Sequence, residues 1–457
     1  MARALGPSRA GSVMRLPRAA PLGPSMSGMV QPTAWAMPQP VVIGRPTSEL
    51  WWLNPLACVA IIGVVYASFM AFDFSRVVPH TYIPGLHYAW GAALLVALAL
   101  GIAAAMAVRR EATWQPALAF DVPRWLMAGL FGCTALAYAV WFQPLLENPG
   151  LMLEIFAGER SSIRDIATTM PGVTTMTQFG VAYVVAYAAM RGSRARPVAR
   201  WEQAALICVF VLGCIRAVAW SERLAVIELV VAYSVTRLAY ARMMRERTWS
   251  LATAIPLIAP VVVYVAFTAT EYFRSWHYFV NDYDTVWEFA FERLMAYYAT
   301  ASNNGIGLLV ENRLWPEYTG RFVAEWLYLM PVVGDKLTES MGDLQTQYFY
   351  FLSRYARPEF NSQTGLFTIV FDIGYAGSMM YFVAVGAVVG LLWDAWRRQM
   401  RFGVLFYPMA MMFLVELLRF NYFAASRFFP VAVALVLIWA VSRPVVPLVP
   451  RPAPNPW

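Results

Sequence analysis

From Cys214 to Glu228 a short, otherwise apolar stretch carries four ionisable side chains: Arg216, Glu222, Arg223 and Glu228. A charge within a membrane span costs about 2.5–3.5 kcal/mol on insertion scales, so such residues are expected to pair or to work. Arg216 falls about one turn before the tip of a helical hairpin and Glu228 about two turns after it. At roughly 1.5 Å per residue the two reach similar depth on antiparallel helices and are expected to pair. Glu222 and Arg223 sit at the tip, where a guanidinium is able to face a ligand. The pattern recurs towards the C-terminus with Asp372 beside Gly374 and Gly377, Glu416 and Arg419 at a helix end, and Arg427 opening the next helix. Between these regions Arg274, Arg293, Arg313, Arg321, Arg354 and Arg357 are interspersed with Trp276, Trp287, Tyr297, Trp315, Tyr348, Tyr350 and Tyr355, and with His277. Guanidinium forks bind phosphate oxygens bidentately, and aromatic faces pack on sugar rings. The set therefore suits a lipid-linked phosphorylated sugar, although the aromatic core of a folded cap would draw on the same residues.

These side chains need a scaffold, and composition says which kind. The 457 residues are 60% hydrophobic and 14% charged, against roughly 25% charged in ordinary soluble domains, and the mean hydropathy is +0.52. A polytopic, all-α membrane protein follows. Ten spanning helices are expected, near 54–72, 87–108, 124–143, 173–191, 202–219, 223–240, 251–270, 366–393, 403–418 and 425–442. They divide the chain into a disordered tail (1–50), helices one to seven (51–270), a large loop with amphipathic helices (271–365), helices eight to ten (366–442) and a Pro-rich tail (443–457). Within the loop, helix-like apolar spacing runs from Asp284 to Tyr298, and a second amphipathic stretch from Tyr318 to Met330. The first fifty residues hold Arg3, Arg9, Arg15, Arg18 and Arg45, with no acid before Glu49 and no apolar core of a secretory signal. They read equally as an organellar transit peptide or as residues upstream of a later start such as Met14, Met26, Met29 or Met37.

The net charge of +8 comes from 35 basic residues, of which only Lys336 is lysine. Alternating the spans places Arg109, Arg110, Arg124, the groups Arg191–Arg200 and Arg237–Arg247, Arg397, Arg398, Arg401 and Arg443 on one face, which is cytoplasmic by the positive-inside rule. Both tails are then inside, and the 271–365 loop is outside with most acids, including Asp73, Glu147, Glu154, Glu159 and Asp165. The basic excess is a topology signal, and no nucleic-acid partner is expected. Cys58, Cys133, Cys208 and Cys214 fall in spans, and His80, His87 and His277 are too scattered for zinc. No Ser-His-Asp order, phosphate loop or dinucleotide fingerprint is present; Asn303-Asn304-Gly305-Ile306-Gly307 follows no strand.

The segments Trp220–Glu228, Glu271–Arg274, Arg293–Asn304, Pro358–Gly365 and Phe371–Gly377 resemble those of the bacterial oligosaccharide repeat-unit polymerases of the Wzy type, over roughly residues 50–442. In this chain Glu222 separates the family's Ser and Arg. The resemblance implies a GT-C-like, metal-independent glycosyltransferase of the bacterial inner membrane that moves a glycan from undecaprenyl pyrophosphate onto a second lipid-linked repeat unit at the periplasmic face. Donor and acceptor lipids, the bilayer, a chain-length-regulating copolymerase and a flippase are the implied partners, and no cofactor is implied. In that scheme Arg223, Arg274 and Arg216 bind the donor pyrophosphate, and Glu222, His277 or Asp372 takes the acceptor proton. Arg293, Tyr297, Arg354, Arg357, Arg419 and Arg427 position the second lipid or the glycan. Two other readings stay open: an O-antigen ligase of the same fold, for which His277 speaks, and a non-enzymatic transporter, against which the absence of an internal repeat weighs.

Overall fold

The structure is a computed structural model. It describes residues 50–71, 78–83, 85–108, 119–157, 162–163, 166, 170, 172–241, 248–312, 315–330, 333–341 and 344–445. The tail before residue 50 lies outside them, as do Asp73, Arg109, Arg110, Glu159, Asp165, Arg242, Arg245, Arg247, Arg313 and everything after residue 445.

The described chain is built of helices. The principal ones are α1 (Pro55–Ser68), α2 (Leu86–Val108), α3 (Arg124–Trp141), α4 (Phe179–Ser193), α5 (Arg200–Ala219) and α6 (Leu224–Ala241). They continue with α7 (Thr248–Glu271), α8 (Val286–Glu311), α9 (Leu344–Tyr355), α10 (Phe367–Arg397), α11 (Arg401–Glu416) and α12 (Phe428–Val441). Local chemistry starts several of them. Asn54 caps α1, its side chain accepting from the Leu56 amide at 3.0 Å ahead of a proline at the first position. Thr285 caps α8 in the same way, 3.1 Å from the Glu288 amide.

A helix lies at each of the ten expected positions. Among the described residues, four helical stretches are long and apolar enough to cross a membrane: Leu86–Val108, Arg200–Ala219, Ala254–Phe279 and Phe367–Arg397. Pro55–Ala71 and Phe428–Val441 are shorter apolar helices. Large side chains such as Leu86, Val108, Leu257 and Met380 stand exposed on these helices, a surface that hydrocarbon, not water, would cover.

The core has α4 at its centre, with Val181–Met190 buried on every side, and α2 crosses α10 at backbone contact. A Cβ at Gly101 would strike the Val383 carbonyl, one at Gly386 the Leu98 carbonyl, and one at Gly390 would come within 2.7 Å of the Ile102 carbonyl. Small residues permit such crossings between apolar helices. Trp396 and Gln399 tie the end of α10 to α6 by donating to the carbonyls of Val235 (3.1 Å) and Ala239 (2.7 Å). A two-stranded antiparallel ribbon joins Ala119–Asp121 to Arg443–Val445.

Two expectations about the 271–365 segment are corrected. The seventh helix does not stop at 270: it continues through a widened turn, Tyr272–Trp276, to Phe279. Moreover, α8 runs on past the amphipathic stretch expected over 284–298. Its second half, Ala299–Leu309, is buried throughout, because Asn303 and Asn304 satisfy backbone groups of neighbouring segments and the glycines admit rings. Asn303 accepts from the Tyr82 amide at 2.7 Å and donates to the His80 carbonyl at 2.8 Å; Asn304 donates to the Phe360 carbonyl at 2.7 Å. The stretch 318–330 holds only a four-residue helix, Glu325–Tyr328; residues 318–323 are hydrogen-bonded onto Asp372.

Candidate functional site

The charged side chains gather into two clusters of the same chemistry and different balance. The first lies at the α5–α6 tip. Arg216, in the last turn of α5, pairs with Glu222 at 2.7 Å, donates to the Thr177 hydroxyl at 3.3 Å, and lies 4.1 Å over the Trp141 ring. Arg427, just before α12, pairs with Glu222 and also with Glu228 at 3.1 Å. The expected Arg216–Glu228 pair is therefore not made. Equal depth on two helices does not establish which faces meet, and Arg427, arriving from another helix, takes Glu228. Two guanidiniums here face two carboxylates, and Arg216 and Glu228 are buried.

The second cluster is centred on Glu271, the last residue of α7, whose side chain is fully buried. The widened turn that follows sets Arg274 and Ser275 back against it: the Ser275 hydroxyl donates to Glu271 at 2.9 Å, and Arg274 stands 3.6 Å away. Single widened turns of this kind inside helices are frequent at functional sites. Arg223 reaches Glu271 from the hairpin tip, and Arg293 reaches it from α8 at 2.8 Å while also pairing with Glu359 at 2.9 Å. One carboxylate thus meets three guanidiniums.

Tyr297, one turn along α8 from Arg293, is the other organiser. Its ring is held edge-on by Phe267 and Phe360. Arg274 donates to its hydroxyl at 3.1 Å, and the guanidiniums of Arg223 and Arg419 lie 5.9 and 6.0 Å from its ring centre. Arg419 is itself paired with Glu416 at 3.0 Å. Arg223, Arg274 and Arg419 are 25%, 27% and 25% exposed, whereas Arg293 is 8% exposed. Three partly exposed guanidiniums therefore gather round one phenol, Arg223 lying 4.2 Å over the Phe267 ring, and a fourth holds the buried base of the cluster. Counting Arg223, Arg274, Arg293 and Arg419 against Glu271, Glu359 and Glu416, positive charge is in excess by one. An arrangement of this kind can receive an oxyanion: partly exposed forked donors lie close together, and the buried carboxylate offsets their mutual repulsion.

The other expected site residues have different surroundings. Burial alone would raise the Glu222 carboxyl, but Arg427 and Arg216 outweigh it and hold the group down at about 2, which makes it a poor proton acceptor. Asp372 precedes the kink that Gly374 makes in α10 with φ 70°. Its carboxylate accepts from the amides of Gly320 (2.7 Å), Phe322 (2.9 Å) and Val323 (3.3 Å) and from the Thr319 hydroxyl (3.2 Å), so it fastens the 315–323 segment to α10. The neighbouring Glu317 is pushed up to about 7 by burial and then by the Asp372 charge, against an opposing pull from Arg321. His277 is exposed about one turn beyond Arg274, its ring against Tyr278. Arg354 is exposed and donates to the Tyr350 hydroxyl at 2.7 Å, and Arg357 is exposed two residues before Glu359. No described hydrogen bond or ion pair joins either of them to the Tyr297 cluster.

Glu271 and Glu359 were missed as site residues by reading the sequence, although the first carried a signal: it is an acid at the end of an apolar helix, three residues before Arg274. Among the described residues, no group of three or more His, Cys, Asp or Glu side chains is placed to hold a metal ion. Comparison with protein-family models, with curated proteins and with solved structures found no match.

Proposed function

We propose that the chain is an integral membrane glycosyltransferase that polymerises oligosaccharide repeat units carried on undecaprenyl pyrophosphate, at the outer face of a bacterial inner membrane. The convergence of Arg223, Arg274 and Arg419 on Tyr297, with positive charge in excess and apolar helices alongside, is the observation that carries this reading. A lipid pyrophosphate brings both halves of the match, a dense double negative charge and a long apolar chain. Ten spans with both termini inside, as the arginine distribution implies, put the α5–α6 tip and the end of α7 on the outer face.

In this reaction the bond between the donor sugar's anomeric carbon and the pyrophosphate oxygen breaks, and a bond from that carbon to the acceptor hydroxyl oxygen forms. The pyrophosphate leaves with the bonding electrons. Arg223 and Arg274, partly exposed at this cluster, stabilise the charge that grows on it. The acceptor proton needs a carboxylate or imidazole that is not already saturated. Glu222 is clamped between two arginines, Glu271 among three, and Asp372 is bound by backbone amides. Glu359, one-third exposed and paired only through Arg293 in the described contacts, fills the role. Arg293 would set its position.

The test is direct: purified protein, given lipid-linked repeat units and no ion gradient, should lengthen them, and Arg223→Ala should not. Failure of the wild type to elongate, with transport of the same lipid across vesicles, would replace the enzyme by a transporter. A ligase is a second reading, favoured by His277 standing exposed one turn from Arg274. It is separated by product, since loss of a ligase leaves polymer on the lipid pyrophosphate, whereas loss of a polymerase leaves single units.

A further inference from the structure

At the opposite end of α5 from the arginine clusters, some 20 residues and about 30 Å away along the helix axis, a cleft of about 380 Å³ opens between the end of α4 and the start of α5. Tyr187, Arg191, Arg194, Arg196, Val198 and Gln203 line it. The site is built. Arg196 is locked by Asp121 at 2.6 Å and by both oxygens of Glu202, and Glu202 in turn accepts from the Ala199 amide at 2.8 Å. Gly192 lies so close to the Tyr240 ring that a Cβ would come within 2.5 Å of it, which fixes the end of α4. Arg191 reaches the Tyr187 hydroxyl at 3.3 Å.

Arg194 terminates α4 in the left-handed conformation, with φ 52° and ψ 35°. Glycine is the usual residue there, and a side chain with a Cβ is strained. A strained backbone kept at a rigid helix end is a reason to look for what the side chain does. Here it adds a second exposed guanidinium, beside Arg191, to the mouth of the cleft. Gln203 faces the cleft from α5, and Ile207 and Val211, four and eight residues on, continue the same helical face and are 57% and 50% exposed. A polar, cationic cleft thus passes directly into an apolar strip running along a helix.

We infer that this cleft binds the phosphate headgroup of an anionic membrane phospholipid, with Arg191 and Arg194 on the phosphate, Gln203 on the polar headgroup, and an acyl chain along Ile207 and Val211. Basic pockets between helices at the headgroup layer hold lipids in this way. The apolar strip distinguishes a lipid from a soluble phosphate, which would have no use for it.

Full-length protein in nanodiscs of zwitterionic lipid, titrated with fluorescent phosphatidylglycerol, provides the test. The double variant Arg191→Gln/Arg194→Gly should bind the lipid about tenfold more weakly. Its melting temperature should not fall, because glycine relieves the left-handed residue. Arg200→Gln, at the same end but outside the cleft, should bind as the wild type does. If the double variant fails to fold, Arg191→Gln alone should show a smaller loss in the same direction. Unchanged affinity in the cleft variants, an equal loss in Arg200→Gln, or displacement of the lipid by millimolar inorganic phosphate would each overturn the assignment.

Discussion

The cluster at the hairpin tip and the cluster around Glu271 use the same two residue types, both sit where apolar helices end, and both draw side chains from several elements. They differ in balance. In the first, Arg216 and Arg427 meet Glu222 and Glu228, charge for charge. In the second, Glu271 alone meets Arg223, Arg274 and Arg293, with Glu359 at the margin. A balanced cluster has nothing left to offer a ligand and acts as a staple between helices. A cluster with surplus positive charge, held together by a buried acid, keeps charge with which to bind an anion, as a receptor would. Counting charges therefore tells more about role than burial or residue identity.

The contrast is most exposed to failure in the staple. Arg427→Ala strands Glu228 at a buried position and leaves Glu222 with one partner; breaking a buried pair of this kind costs about 3–5 kcal/mol. Denaturation in detergent should show that loss. A variant as stable as the wild type would mean that the first cluster is no staple. In the receptor the corresponding change should read out differently. With Arg223→Ala, Glu271 keeps Arg274 and Arg293, so the protein should fold, while elongation of lipid-linked units should drop by about 10²–10³, the usual effect of losing one donor to developing negative charge. If Arg223→Ala unfolds the protein and Arg427→Ala only slows it, the two roles are reversed.

A third measurement sharpens the difference. Glu271→Gln removes the acid that holds three guanidiniums together, so it should destabilise the protein, and inorganic pyrophosphate should restore it by more than it stabilises the wild type, a gap of about 2 °C or more in melting temperature. An equal response in both proteins would show that pyrophosphate does not occupy this cluster. The smallest expected effect lies away from both, at Glu317. Burial and Asp372 hold its carboxyl up near 7, so the folded protein keeps a proton that the unfolded chain releases near 4.5. Stability should then fall as pH rises from about 4.5 to 7 and level off above that. Glu317→Gln should remove this slope from the melting profile, and a slope that persists would have to come from another group.

Much of this was legible in the sequence because charge is conspicuous in an apolar chain. Arg216, Glu222, Arg223, Arg274, Arg419 and Arg427 stood out for that reason, and they do fall into the two clusters. Partner choice was not legible, since depth along a helix is set by residue count whereas azimuth depends on packing. Arg216 and Glu228 share a depth and yet face different neighbours. Glu271 was obscured by its position, ending a span that was expected to give way to a loop. The second half of α8 was hidden for another reason. Ser302-Asn303-Asn304-Gly305 has the composition of a turn, but its amides bind carbonyls of adjacent segments, and Gly305 gives room to Phe367, 2.9 Å from where a Cβ would sit. Nothing in the local pattern signals partners that come from 223 residues earlier or 56 residues later.

The crossing of α2 and α10 has a consequence for how this chain tolerates change. At Gly101, Gly386 and Gly390 the space a first side-chain carbon would need is already taken by a carbonyl oxygen of the facing helix. Every missense codon at these positions adds that carbon. Conservative and radical replacements should therefore fail alike there, so that a saturation library would show three columns in which alanine is depleted as strongly as tryptophan.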